Sequence, residues 1–251
     1  MNSNRLKLNS DKTQFIWLGS RHELLKVSID SIDLGSCVVK FQDSVNNLGV
    51  VIDGQLSMKD HVQKVCKTCY YHLRQLRSIR GSLSADSCSA LVRAFISSRL
   101  DYCNSLLTGI DKSQANKLQS ILRVAARLVM RKRKFESISS DIRDKLHWLP
   151  IQQRIKFKIG VLVYRCLRGT APPYLSEMLS AAADIAGRRS LRSAAHGDLA
   201  VPRSRTVRFG SRMFAVSGPT FWNSLTNELK SSSLTEPAFK KQLKTFLFRT
   251  V

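Results

Sequence analysis

"SMKDHVQKVCKTCYYHLRQLRSIRG", Ser57 to Gly81, is where the hydropathy of this chain changes period. Met58, Val62, Val65, Cys69, Leu73, Leu76 and Ile79 recur at three- and four-residue spacing, the stripe of an amphipathic helix. Lys64, Lys67, Arg74, Arg77 and Arg80 dress the other side. Ser57 suits an N-cap, and Gly81 suits a stop. Upstream the pattern differs. "QFIWL" (14–18), "LKVSID" (25–30), "CVVKF" (37–41) and "VNNLGVVI" (45–52) are short β-branched or aromatic runs. Gly19-Ser20, Asp33-Leu34-Gly35, Asn46-Asn47 and Asp53-Gly54 separate them, so they predict a small antiparallel β region.

Downstream the helical period continues. One helix is expected from about Ala85 to Leu107, with Leu91, Val92, Phe95, Ile96, Leu100, Cys103 and Leu107 inward. A second runs from about Ser113 to Met130, with Leu118, Ile121, Leu122, Ala125, Leu128 and Val129 inward. A third follows Pro150 and stops at Gly169, and Pro172-Pro173 opens a short one. Residues 180–200 have the composition of a loose linker. "AVPRSRTVRFGSRMFAVSGP" (200–219) predicts a β-hairpin around Gly210 and Gly218, followed by two tail helices. The expected fold is therefore α+β and mainly α. It has a β region at 1–56, a helical bundle at 57–179, and a linker with a basic C-terminal region at 180–251.

Charge bounds the partner. The 251 residues carry 41 Lys+Arg against 18 Asp+Glu, a net of +23. Residues 1–56 balance at six basic and six acidic side chains, so the whole excess follows residue 56. Residues 112–174 alone hold fifteen basic and three acidic side chains, a net of +12. Such a field favours a polyanion, bound through phosphates with release of counterions. Tyr70, Tyr71, Phe157 and Tyr164 stand among these cations as candidate base-stacking rings. The binding candidates are Lys64, Lys67, Arg74, Arg77 and Arg80, then Arg123 and Arg127, then the run Arg131, Lys132, Arg133, Lys134, and finally Lys156 and Lys158. The run at 131–134 also reads as a weak nuclear-import patch. No apolar run approaches the ~20 residues a bilayer span needs, and "MNSNRLKLNSDK" has no apolar leader core. An intracellular setting, nucleus or cytoplasm, with six reduced cysteines and no membrane, is the expectation.

Chemistry is harder to find. Thirteen Asp and five Glu are spread so that no two acids are adjacent, whereas two-metal nucleotidyl transfer needs clustered carboxylates. Cys66, Cys69 and His72 sit on one helical run, with Cys69 in its apolar stripe, so packing is preferred to a zinc site. "SRLDYCNSLL" (98–107) gathers Arg99, Asp101, Tyr102, Cys103 and Asn104, but the helical phase turns Cys103 inward with Leu100 and Leu107. The cysteine is then a packing group, and Asp101 and Asn104 are helix-surface or helix-end hydrogen bonders. No catalytic residue and no metal ligand are assigned.

Several segments occur in one order. They are "NRLKLNSDKTQFIWLGS", "NLGVVIDGQLSMKDHVQKVCKTCYYHLRQLRSIR", "SRLDYCNSLLTGI", "LQSILRVAARLV", "LHWLPIQQRIKFKIGVLVYRCLRGTAPPYL" and "GPTFWNSL…FKKQLKTFLF". Together, from about Arg5 to Phe248, they resemble the C-terminal third of non-LTR (LINE-type, jockey-like) retrotransposon reverse transcriptases. The resemblance implies the end of a palm, a thumb and a C-terminal region of an RNA-directed DNA polymerase. Lys12, in "LNSDKT", would match the lysine near the incoming nucleotide's phosphates, with Ser10 and Gln14 where Pro and Glu are common. Leu48, Gly49 and Val50 would belong to the primer-grip hairpin, and the helices from Ser57 to the thumb. The aromatic-Ala-Asp-Asp motif, the fingers and the endonuclease would lie upstream of residue 5. The parent enzyme would use Mg2+, but no cofactor is assigned to this chain. RNA, an RNA/DNA hybrid or a template–primer duplex is the implied partner, without catalysis by this polypeptide alone. Membership of a longer active polymerase and a protein-interaction module remain the alternatives.

Overall fold

The computed structural model describes residues 9, 12–35, 37–184, 197–204, 206 and 209–250. It is mainly helical, with two small antiparallel sheets, as the change of period predicts. Two compact units divide between Lys67 and Thr68, inside one helix.

In the first unit, α1 (Arg21–Leu24) opens with a capping box, in which Ser20 and Glu23 exchange side-chain and backbone hydrogen bonds. Strands β1 (Ser31–Asp33) and β2 (Val38–Lys40) form one antiparallel pair, and β3 (Ser44–Asn47) and β4 (Val50–Asp53) the other. Two of the expected strands are not formed. Residues 14–18 contribute a single bridge, Phe15 to Phe41, and 25–30 none. Ring packing holds the first segment instead, with Trp17 stacked on Phe41 at 4.8 Å. The β3–β4 turn has positive φ at both Leu48 (47°) and Gly49 (88°), the signature of the primed turns that match strand twist.

Helix α2 (Lys59–Ser78) follows. Ser57 was expected to cap it, and its hydroxyl does accept from the Lys59 N–H at 3.3 Å. The stronger cap is Asp53, whose carboxylate accepts from the backbone of Ser57 at 2.9 Å and Met58 at 2.7 Å. A carboxylate there also suits the positive pole of the helix.

In the second unit, α3 (Ala85–Val92) runs into a π-turn (Arg93–Ser97) and then α4 (Ser98–Asp101). The single helix expected to Leu107 therefore ends at Asp101. Cys103 takes a left-handed conformation (φ 50°) and a 3-10 turn carries 104–107. Helix α5 (Lys112–Met130) buries all six residues of its predicted stripe. Helix α6 (Ile151–Leu167) is the hub, in contact with α5, with α7 (Pro173–Ser176) and with two tail helices.

Those tail helices are α8 (Phe214–Asn223) and α10 (Glu236–Arg249), with α9 (Asn227–Lys230) between them. The hairpin expected around Gly210 and Gly218 is corrected: Gly210–Arg212 is a 3-10 turn and Gly218 lies inside α8. Packing on α6 overrides the turn signal, with Pro219 fully buried and Val163 3.1 Å from where a Gly218 Cβ would stand. Tyr164 stacks on Phe239 at 4.5 Å and donates its hydroxyl to the Leu234 carbonyl at 2.6 Å. Of the linker, 185–196 lies outside the described residues. Its described ends meet in a bridge between Ala181 and Leu199, and the Asn223 amide bonds both backbone groups of Leu199 at 2.8 Å.

Candidate nucleic-acid interface

A cleft of about 790 Å³ opens in the second unit between the C-terminal half of α2 and the C-terminal half of α5. Tyr70, Leu73, Arg74, Arg77 and Arg80 form one wall. Val124, Arg127, Leu128 and Arg131, with Lys132 and Lys134 beyond the helix, form the other. Seven of these eleven residues are cationic and none is acidic, so the cleft attracts anions.

The local sequence explains this placement. On α2, positions 70, 73, 74 and 77 lie one helical turn apart and share a face. On α5, Val124, Arg127, Leu128 and Arg131 do the same. The shared floor is apolar, with Leu73 and Leu128 both buried, and the cations stand at its edges. Arg74 and Arg77 are exposed and have no side-chain partner among the described residues.

Other cations of the cleft are tied to the backbone. Arg80 was expected on the exposed face of α2. It is 9% exposed and donates to the carbonyls of Leu128 (2.7 Å), Val129 (2.9 Å) and Leu83 (2.8 Å). The cause is the end of α2 at Ser78: a 3-10 turn (Arg80–Ser82) carries the residue inward. Arg131 also donates to Leu83 O, at 3.2 Å. The Arg127 guanidinium grips the Glu136 carbonyl at 3.3 and 3.1 Å. Lys132 pairs with Asp141 and donates to Ser137 O at 2.9 Å. The hydrogen bonds from Lys132 and Lys145 hold the Asp141 carboxyl below the usual carboxylate range.

The remaining predicted residues are not in this cleft. Arg123 is exposed on α5 outside the lining, and Arg133 is exposed beside it. Lys156 and Lys158 are exposed on α6. Lys64 and Lys67 belong to the first unit, where the Lys64 ammonium reaches the Asn46 side chain at 3.4 Å. Lys12, also in the first unit, is exposed, and its N–H donates to the Asn9 carbonyl at 3.2 Å. At the tip of the β3–β4 hairpin Leu48 is 85% exposed, while Val50 is buried.

Of the candidate stacking rings, Tyr70 and Tyr71 are exposed and Tyr70 lines the cleft. Phe157 is half-buried, and Tyr164 is a core residue, so it is removed from the set. A ring absent from that set is Phe135, 90% exposed immediately after the basic run. The signal that marks it is the sequence "RKRKF" itself, an aromatic abutting four cations.

His72 stacks on Phe95 at 5.1 Å, and burial, then the nearby Arg99, holds its imidazole below the usual range. Cys69 is fully buried. Among the described residues no three His, Cys, Asp or Glu side chains gather as a metal site, and no disulfide joins any cysteines. Burial pushes the thiols of Cys88 and Cys166 up. In the opening of 98–107, Asp101 pairs with Arg154 at 2.7 Å and accepts from Asn104 at 3.4 Å, the end-of-helix bonding expected of both. Cys103, expected inward, is only half-buried. No helix among the described residues is long and apolar enough to cross a membrane. A scan of known protein families, a search of curated proteins and a search of solved structures each find no match to this chain.

Proposed function

We propose that this chain is a nucleic-acid-binding segment of a LINE-type reverse-transcriptase-like protein. Its α2–α5 cleft holds the phosphate backbone of RNA or of a template–primer duplex. The observation that carries this reading is the acid-free cleft with two exposed arginines on one wall, neither partnered among the described residues. Arginine presents a rigid fork of donors that matches phosphate oxygens two at a time. Release of condensed counterions supplies the driving force. The ordered segments quoted from Arg5 to Phe248 support the polymerase lineage, and within it α2 and α5 take the thumb's role of clamping the backbone.

This polypeptide performs no nucleotidyl transfer by itself on this reading. Two magnesium ions would need converging carboxylates, and no carboxylate lines the cleft. The residues lining the cleft do not fit such a centre. A second reading, membership of a longer active polymerase, is supported by the β3–β4 hairpin, which carries Leu48, Gly49 and Val50, the residues whose sequence resembles a primer grip. An open frame upstream of Met1 encoding adjacent acids supports it, and stop codons there exclude it.

The test is titration of labelled RNA, hybrid and duplex at several salt concentrations. Log affinity is expected to fall linearly with log salt. The combined Arg74→Ala and Arg77→Ala change is expected to reduce the slope by about 0.7–0.9 for each phosphate no longer neutralised. A response flat in salt refutes the proposal.

A further inference from the structure

We infer that Phe135 is a stacking platform for an unpaired base of the strand held in the cleft, and that the chain therefore prefers nucleic acid with single-stranded character. This deepens the cleft reading above and rests on it.

The loop that follows α5 is held in one shape. Arg131 takes a left-handed conformation (φ 54°), and the Lys132 N–H returns to the Arg127 carbonyl at 2.9 Å. The Lys132 ammonium bonds Ser137 O at 2.9 Å and pairs with Asp141. Arg127 clasps Glu136 O, and the Glu136 carboxylate accepts from the Arg133 N–H at 2.8 Å. Every one of these bonds fixes residues on either side of Phe135, and none buries its ring. The ring stands 90% exposed, above every other large apolar residue described. Its neighbour is a cation, the Lys134 ammonium, 5.3 Å from the ring centroid.

Position turns this into a function. Arg127, Lys132 and Lys134 line the cleft, so the loop is its rim. A strand whose phosphates lie among these cations brings its bases within reach of the rim. A flat ring presented there offers its face to a base, and every base has a face to give, so the contact is tolerant of sequence. A continuous duplex has its bases already stacked on one another and offers none, which is why unpaired nucleotides are preferred. Insertion into a lipid surface is the competing use of an exposed Phe among cations. The loop disfavours it, because Arg133, Lys134, Glu136 and Ser137 flank the ring in sequence and residues 131–137 hold no second apolar side chain.

The experiment compares Phe135→Ala, Phe135→Leu and Phe135→Tyr with the wild-type chain. The probes are an unstructured single-stranded RNA, the same sequence as DNA, the blunt duplex, and vesicles of phosphatidylserine and phosphatidylcholine. The Ala and Leu variants are expected to lose between about fivefold and about 150-fold in affinity for both single strands, and the Tyr variant to keep wild-type affinity. Affinity for the blunt duplex and the salt slope should be unchanged in all three. A 2-aminopurine in the single strand should be quenched by the wild-type and Tyr chains and not by the Ala chain. Equal affinity of the Ala and wild-type chains for single strands, with salt-dependent binding intact, overturns the stacking role alone. So does a Leu variant that binds like wild type, or a loss confined to vesicles. Absence of salt-dependent binding by the wild-type chain overturns the cleft reading and this inference together.

Discussion

Replacing Arg80 separates the cations that build the cleft from those proposed to bind a polyanion in it. The last carbonyls of a helix have no donors inside the helix. At the end of α5 the next two backbone N–H groups, of Arg131 and Lys132, both turn to the Arg127 carbonyl. Leu128 O and Val129 O are left to the Arg80 guanidinium, at 2.7 and 2.9 Å, in a buried setting. Leu83 O, the third acceptor, keeps a second donor in Arg131 at 3.2 Å. A hydrogen bond from a charged donor contributes about 1.5–3 kcal/mol, and an orphaned buried carbonyl costs about 1–3 kcal/mol. With two acceptors orphaned and one not, Arg80→Ala should cost about 3–5 kcal/mol, a large part of the ~5–15 kcal/mol that holds a domain folded. Arg80→Lys keeps the charge but loses the fork, and should cost about half of that. Arg74→Ala, on the exposed wall, should stay within about 0.5 kcal/mol. Urea denaturation followed by circular dichroism reads these as midpoint shifts at constant slope. RNA titrations in salt on the Lys variant should show an unchanged salt dependence. An Arg80→Ala chain that loses less than about 1 kcal/mol refutes the structural assignment. So does an Arg80→Lys chain of normal stability whose salt slope has dropped by the share of a whole phosphate.

Glu236 ties α10 to α6 through Arg165 and to its own helix through Lys240, both at 2.6 Å, and these bonds hold its pKa down to about 2 from an ordinary 4.5. The folded carboxylate therefore binds a proton less readily than the unfolded one. Its stabilisation is complete above about 4.5 and is lost as pH falls toward about 2, so urea midpoints of wild type and Glu236→Gln should converge across that window. A difference constant with pH contradicts the assignment. Gly160 lies where α6 crosses α8 and α10: an added Cβ would stand 2.8 Å from Phe221 Cε1 and 2.9 Å from Leu243 Cδ2. Gly160→Ala should therefore destabilise by about 1–3 kcal/mol despite its better helix propensity, and a gain in melting temperature refutes the packing argument. Leu48 occupies a left-handed position at the β3–β4 turn, where Asn-Gly is the favoured pair. Leu48→Asn should stabilise the first unit by about 0.5–1 kcal/mol, and slower hydrogen exchange of 44–53 is the measurement that checks it.

How far the sequence could be read depended on whether a residue's fate was local. The α5 stripe was legible in full because a straight helix with one buried face writes itself as a period. The α2 stripe held to Leu76, with Val65 only half-buried, and failed at Ile79, 48% exposed, because the helix had already ended. After Ala85 the expected face held through the π-turn at Val92, Ile96, Leu100 and Leu107, all buried. It failed at Phe95, 40% exposed inside that turn, and at Cys103, half-buried where the helix has ended. Gly218 and Pro219 carry turn chemistry, yet both are buried in α8 against α6, a contact no local pattern encodes. At the candidate site the set of cations was legible, while their division was not. Arg77 and Arg80 read alike in sequence, and only a short 3-10 turn sends one to solvent and the other to the end of α5. A single exposed ring such as Phe135 has no period, and only its place beside four cations marks it.

The division of the cations also resolves an apparent conflict between building and binding. A guanidinium that donates to carbonyls is immobilised without being neutralised. Arg80, Arg127 and Arg131 are held by carbonyl oxygens and keep their charge. Of the seven cations lining the cleft, only Lys132 forms an ion pair among the described residues. The hydrogen bonds that brace the end of α5 therefore fix part of a positive field in place before any ligand arrives. A field built this way need not be reorganised on binding. Its cost falls on the free chain, where like charges crowd one cleft with no carboxylate among them. A bound polyanion removes that repulsion, so the groups that strain the free protein become part of what favours the complex. Binding of this kind must also raise the stability of the folded state by mass action. The same acid-free lining that makes the cleft unsuited to holding catalytic metals makes it suited to holding phosphates.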